Sequence, residues 1–142
     1  MNYSIQREAV LKELQISNNH FTADELYGIL RKKVPQISLA TIYRNLECLA
    51  KHGKIRRVSS FAAQKRFEGN TDLHFHIRCP QCGTLTDLPS EVCIALDTIL
   101  LGKAAELDCK TYYLEFLAEC DECLEKSEKT KIKEKVSPFS LI

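Results

Sequence analysis

His74-Phe-His-Ile-Arg-Cys79-Pro-Gln-Cys82-Gly-Thr-Leu-Thr-Asp87 is the stretch on which the fold turns. Read as a strand it alternates, so His74 and His76 point to one face and Phe75 and Ile77 to the other. It runs into Cys79-Pro-Gln-Cys82-Gly, a Cys-x-x-Cys knuckle of the kind that presents two thiolates to one metal. A second pair, Cys120-Asp-Glu-Cys123, lies near the C-terminus. Four thiolates in two such pairs complete a tetrahedral Zn²⁺ site with no open position, which makes its role structural. The two imidazoles and nearby carboxylates offer a different, harder donor set.

Around this stretch the second half reads as a strand over 74–79, the knuckle, a strand over 84–88, a helix from about Glu91 to Leu101 and a strand around Lys110–Leu117. The second cysteine pair follows, then a charged, helical 124–135; residues 138–142 have no assignment. In the first half, Ser4 can cap a helix with Ile5, Val10, Leu11 and Leu14 as its apolar stripe. Thr22-Ala-Asp-Glu25 fits a capping box opening a second helix, with Leu26, Ile29 and Leu30 inward and Pro35 as its stop. Ser38 caps a third, Leu39 to His52, which buries Leu39, Ile42, Leu46 and Leu49 and ends at Gly53. Its other face shows Thr41, Tyr43, Arg44 and Asn45. Two β-prone segments, 55–58 and 64–68, follow with a short loop between them. Three helices and a basic hairpin make a winged helix-turn-helix. The expected class is α+β, with a winged-helix domain over 1–69 and a small α/β domain over 70–142.

The charge pattern agrees with that division. The chain of 142 residues carries a net charge of +1, but residues 1–70 hold 12 Lys/Arg against 6 Asp/Glu, and residues 71–142 hold 8 against 13. A basic half at +6 joined to an acidic half at −5 points the first toward a polyanion, double-stranded DNA. The reading elements are then Thr41, Tyr43, Arg44 and Asn45 on the third helix and Arg56, Arg57, Lys65 and Arg66 on the wing; the bland alternative is a solvated basic face. No apolar run reaches membrane-spanning length and no apolar leader follows Met1, so a cytoplasmic address is expected. Seven cysteines, an odd count, suit metal ligands and reduced thiols there better than disulfides.

A second metal site can be drawn from His74, His76 and Asp87, with Glu68 and His20 as further candidates. Imidazole and carboxylate without thiolate suit Fe²⁺, Mn²⁺ or Zn²⁺. Taken singly, His20 reads as a surface histidine, and Glu68 and Asp87 as solvated carboxylates. Ligands drawn from both halves would make the metal a switch that fixes the angle between them. A competing class is a thiol oxidoreductase using Cys79 and Cys82, which needs a low-pKa thiolate, typically at a helix N-terminus; here the pair lies between strands. A zinc-ribbon interaction module is a third reading, but it leaves the basic winged helix without a purpose.

Leu39-Ala-Thr-Ile-Tyr-Arg-Asn-Leu46, His74-x-His76-x-x-Cys79-x-x-Cys82-Gly and Cys120-x-x-Cys123 together resemble the ferric uptake regulator family over nearly the whole chain. The resemblance implies homodimers that repress genes from palindromic operators when metal is bound, and no enzymatic activity. It places structural Zn²⁺ on the four cysteines and a regulatory Fe²⁺ or Mn²⁺ on His20, Glu68, His74, His76 and Asp87. Tyr43 and Arg44 match DNA-contacting positions. Asp at position 87 resembles the peroxide-sensing branch, which implies H₂O₂ as the signal and oxidation of a ligand histidine, His20 or His74. An iron- or zinc-responsive repressor of uptake genes is the alternative within the family. Glu68 stands where peroxide sensors usually carry Asp. Leu73, Phe75 and Tyr112 stand where some members carry ligands of a further site, so two sites are expected. Only three residues precede Ser4, fewer than the family's first helix and basic arm require.

Overall fold

The computed structural model describes residues 4–58, 64–110 and 112–136, the last six as backbone. They form two compact units, divided between Asp72 and Leu73. The loop expected between the two wing segments and the tail from Pro138 lie outside the described residues.

In the first unit, α1 (Ile5–Ser17), α2 (Ala23–Lys33) and α3 (Leu39–Lys51) precede the hairpin β1 (Arg56–Val58) and β2 (Arg66–Glu68). Each helix begins where its sequence says it should. The hydroxyls of Ser4, Thr22 and Ser38 accept from the backbone N–H groups of Arg7, Glu25 and Thr41, and Glu25 returns the bond to Thr22. α3 ends in a Schellman turn: Gly53 takes a left-handed φ of 69°, and Lys54 N–H donates to the Leu49 carbonyl at 3.0 Å. Val10, Leu14, Leu26, Leu30, Ile42, Leu46, Leu49, Ile55 and Phe67 form the core. Ile5, expected in the α1 stripe, is instead 82% exposed, because it opens the helix before the stripe meets the core.

The hairpin pairs Arg56 with Glu68 and Val58 with Arg66. A third segment joins its edge. Phe21 and Phe67 exchange both backbone bonds, at 2.9 and 2.8 Å, in an isolated antiparallel bridge. This bridge sets the turn before α2 against the end of the wing.

In the second unit, β3 (His76–Arg78), β4 (Leu85–Asp87), α4 (Ser90–Glu106), β5 (Glu115–Leu117) and α5 (Asp121–Val136) follow in order. β3 is central, antiparallel to β4 and parallel to β5. The regular strands are shorter than their sequence segments: β3 covers only His76–Arg78 and β5 only Glu115–Leu117. α4 runs past its expected stop at Leu101. Gly102 is exposed and open on all sides, so it costs only its helix propensity, about 1 kcal/mol. Cys93 and Ala104 of α4 are buried, whereas Val92, Ile94, Ile99 and Leu101 are exposed, as are Phe116 and Leu117 on β5. Among the described residues no helix is long and apolar enough to cross a membrane.

Candidate metal centres

The knuckle after β3 is held by its own backbone. Cys79 N–H donates to the Thr84 carbonyl (3.0 Å), Gly83 N–H donates to the Cys79 carbonyl (2.8 Å), and Gly83 takes a φ of 77° that a side chain would oppose. β5 returns alongside β3, where Ala118 N–H donates to the Arg78 carbonyl (3.0 Å). That pairing delivers Cys120, and Cys123 follows in the first turn of α5. The four Sγ atoms all lie within 4.8 Å of one another, with Cys82 and Cys120 at 3.7 Å. Zn–S bonds of about 2.3 Å in a tetrahedron require S–S edges of roughly 3.8 Å, so the donors fit zinc.

The thiols are not equivalent. Backbone N–H groups of Cys120 and then Cys82 aim at Cys79 and lower its pKa to about 6. Cys82 is also lowered, chiefly by the hydroxyl and backbone of Thr84. Cys123 is pushed up to about 12, first by Cys120 and by burial, because a last thiol must ionise beside sulfur already charged. Cys120 is raised as well, although the Cys123 backbone N–H pulls the other way; burial and the neighbouring Cys82 and Cys79 outweigh it. A reactive redox pair needs one activated sulfur and one accessible partner. Here the activation of Cys79 comes from the very segment that brings two further sulfurs to it, which is the arrangement of a cation site. Cys48, Cys79, Cys82, Cys93, Cys120 and Cys123 carry unbridged thiols. Cys93 is buried under β3, where Phe75 N–H points at its sulfur (3.3 Å), and Cys48 sits beside His52 on α3.

The oxygen and nitrogen donors fall into two groups, one in each unit. In the first, the Phe21–Phe67 bridge places His20 beside Glu68, with Nε2 and Oε2 3.1 Å apart and both side chains nearly buried. Arg56 approaches the other carboxylate oxygen at 3.6 Å. In the second, the β3–β4 register sets His76 directly opposite Asp87, so both side chains share a face. Asp87 Oδ1 stands 3.4 Å from Nε2 of His76 and 3.5 Å from Nε2 of His74, and the two rings meet edge to face at 4.6 Å. His74 is two residues from His76, as the alternation requires. Metal–ligand bonds of about 2.0–2.2 Å give donor–donor edges of roughly 3–3.5 Å, and each group shows such edges. Imidazole and carboxylate without sulfur suit Fe²⁺ or Mn²⁺.

Of the expected nucleic-acid contacts, Tyr43 and Arg44 are exposed on α3 and Thr41 is half-exposed. Tyr43 also donates to Asp24 Oδ2 at 3.4 Å. Asn45 corrects the sequence reading. It is 3% exposed, turned into the helix bundle, where its Oδ1 accepts from Arg7 Nε at 3.1 Å. On the wing, Arg57 pairs with Glu47 of α3, and Lys65 lies 3.9 Å from the same carboxylate. Arg56 donates to the Asp72 carbonyl (2.8 Å), and Arg66 donates to the His20 carbonyl (2.8 Å) and to Glu25 (3.1 Å). Neither arginine was expected to face inward, since charge alone cannot say which carbonyl lies within reach.

A model of the ferric uptake regulator family matches residues 1–115. The peroxide-responsive repressor PerR of Staphylococcus epidermidis is 35% identical over 123 residues, covering 85% of this chain and 80% of its own. The ferric uptake regulator Fur of Helicobacter pylori superposes with a TM-score of 0.72 at 25% identity, over 87% of this chain and 83% of its own. The peroxide stress regulator of Campylobacter jejuni does so with a TM-score of 0.64 at 29% identity, over 82% and 84%. With a helical unit ending in a hairpin, a four-thiolate centre and histidine–carboxylate donors alongside these matches, the chain belongs to the ferric uptake regulator family of transcription regulators.

Proposed function

We propose that this protein is a homodimeric, metal-dependent repressor of the cytoplasm that binds palindromic double-stranded operator DNA and releases it on exposure to H₂O₂. The observation that carries the reading is Asp87 Oδ1 poised between His74 and His76, a sulfur-free donor group built on the two strands that flank the zinc knuckle. Fe²⁺ or Mn²⁺ is the regulatory ion, with His20, Glu68, His74, His76 and Asp87 as its ligands and Zn²⁺ on the four cysteines. Likeness to repressors named for peroxide response supports the signal. The exposed apolar residues of α4 and β5 support a dimer, because a face of that kind is costly to leave in water. Exposed Tyr43 and Arg44 on a capped, well-packed α3 support a reading helix that enters the major groove.

Fe²⁺ held by His20, Glu68, His74, His76 and Asp87 would supply one-electron chemistry toward H₂O₂, relaying electrons from a ligand ring and ending in its starting oxidation state. The chain's own part is to offer two imidazoles, His20 and His74, either of which would give up two electrons to H₂O₂, its ring C–H becoming C–OH as the second peroxide oxygen leaves as water. Burial of both rings keeps competing solvent away. The oxidised ring is a poorer donor, the ion is lost, and the DNA-binding form with it.

The test compares DNA binding of the Fe²⁺ and Mn²⁺ forms before and after H₂O₂. The Fe²⁺ form is expected to lose affinity as a His20 or His74 peptide gains one oxygen, while the Mn²⁺ form keeps its affinity. An Fe²⁺ form that keeps both affinity and mass overturns peroxide sensing. The second reading, an iron- or zinc-responsive repressor of uptake genes, draws on Glu68, where peroxide sensors usually carry Asp; it predicts that outcome.

A further inference from the structure

Arg66 belongs to the basic hairpin, yet its guanidinium is turned back onto its own unit and is only 22% exposed. Nη1 donates to the backbone carbonyl of His20 at 2.8 Å and to Glu25 Oε2 at 3.1 Å. That same Oε2 accepts from Thr22 N–H at 2.9 Å, as half of the α2 capping box. Between these bonds the turn is pinned. Phe21 N–H and C=O are both bonded to Phe67, and the Thr22 carbonyl accepts from Leu26 N–H at 3.1 Å. The backbone that carries His20 therefore has its carbonyl groups from residue 20 to 22 held. The side chain it presents reaches Glu68, two residues beyond Arg66 on β2.

We infer that Arg66 is a positioning residue for the regulatory ion, holding His20 in its ligand pose, and not a phosphate contact of the wing. The inference rests on His20 and Glu68 being ligands of that ion. Two features favour it. Nη1 carries two N–H groups fixed in the guanidinium plane, so one nitrogen donates to the carbonyl and to the carboxylate in set directions, whereas a lysine ammonium turns freely. Glu25 also offsets the guanidinium charge, so the cation that fixes His20 does not repel the one that His20 would bind. A ligand already held in place loses less freedom when the ion arrives, and outer-shell partners of metal ligands typically carry 10- to 100-fold in affinity. Arg57 and Lys65, 45% and 74% exposed, are left as the wing groups open to phosphate.

The experiment uses the zinc-loaded full chain and Mn²⁺ as the probe. Arg66→Gln, Arg66→Lys, Glu25→Gln and His20→Ala are compared in Mn²⁺ titrations, in DNA binding at saturating Mn²⁺ across a salt series, and in hydrogen exchange of the zinc-loaded protein without Mn²⁺. Arg66→Gln is expected to weaken Mn²⁺ binding about 10-fold or more and to speed exchange over the His20–Thr22 turn. DNA affinity at saturating Mn²⁺ and its salt slope should stay as in the parent, and Arg66→Lys should restore part of the Mn²⁺ affinity. Glu25→Gln, which keeps the Arg66–His20 bond, should weaken Mn²⁺ less, and it serves if Arg66→Gln does not fold. A phosphate contact would instead lower DNA affinity at saturating Mn²⁺ and cut the salt slope by about one, which overturns the inference. Unchanged Mn²⁺ affinity in Arg66→Gln, with His20→Ala weakened, overturns it too. Unchanged Mn²⁺ affinity in His20→Ala removes His20 from the ligand set, and the inference falls with the reading beneath it.

Discussion

Asp87 lies opposite His76 across the β3–β4 ladder and reaches His74 with the same oxygen. One carboxylate thus serves two imidazoles, and the register of two three-residue strands decides it.

Asp87→Ala should remove the oxygen around which His74 and His76 are gathered. Mn²⁺ affinity is expected to fall at least 10-fold, as for loss of a metal ligand or its close partner, while zinc content stays unchanged. Calorimetric Mn²⁺ titration with zinc analysis of the same sample checks this. Asp87→Glu should keep metal binding and blunt the response to H₂O₂; an undiminished response removes the role assigned to Asp87 in choosing the signal.

Zinc binding should strengthen as pH rises. Protons and zinc compete for the same sulfurs, so affinity gains with pH wherever a thiol is still protonated in the metal-free chain. Near neutrality Cys79 is largely ionised, its pKa lying at about 6, whereas Cys120 and Cys123 are raised and hold their protons. Zinc should therefore release at least two protons there, read as the buffer dependence of the binding heat. Below about pH 6 Cys79 protonates as well and affinity should fall more steeply.

Phe67→Ala should cost about 3–5 kcal/mol in urea unfolding of the first unit, the range for truncating a buried phenylalanine. Phe67 is 1% exposed in the core and its backbone carries the bridge to Phe21.

Gly69→Ala should be costly for a different reason. A Cβ there would lie 2.6 Å from the Leu14 carbonyl oxygen and 2.8 Å from Gln15 N, both backbone atoms of α1 that cannot turn aside. A loss of about 1–3 kcal/mol is expected, the usual range for overpacking. Mn²⁺ binding should weaken as well, because Glu68 is the preceding residue.

Glu47→Gln should tighten DNA binding at low salt by up to about fivefold, since exposed ion pairs carry roughly 1 kcal/mol at most. It frees Arg57 and Lys65 from the carboxylate that both now face. Fluorescence anisotropy across a salt series tests this; unchanged affinity would show that neither cation meets phosphate.

The four cysteines were legible because their spacing is itself the chemistry, and the three helices because their caps are written in Ser4, Thr22 and Ser38. The nearness of His20 to Glu68 was not legible from pattern. It depends on a single bridge between Phe21 and Phe67, too short to show any periodicity. Asn45 was misplaced for a related reason. A polar residue on a helix reads as solvent-facing until a partner such as Arg7, from another helix, is known to meet it. Arg56 and Arg66 show the same limit, because a count of positive charge does not reveal which side chains are already engaged at home.

The parallel pairing of β5 with β3 has a consequence for how a newly made copy matures. Cys120 and Cys123 follow directly on that strand, and their closure with Cys79 and Cys82 around zinc would secure the flank of the ladder that bears His76. Zinc is then expected to load before the second ion, and a chain stripped of zinc should bind Mn²⁺ poorly.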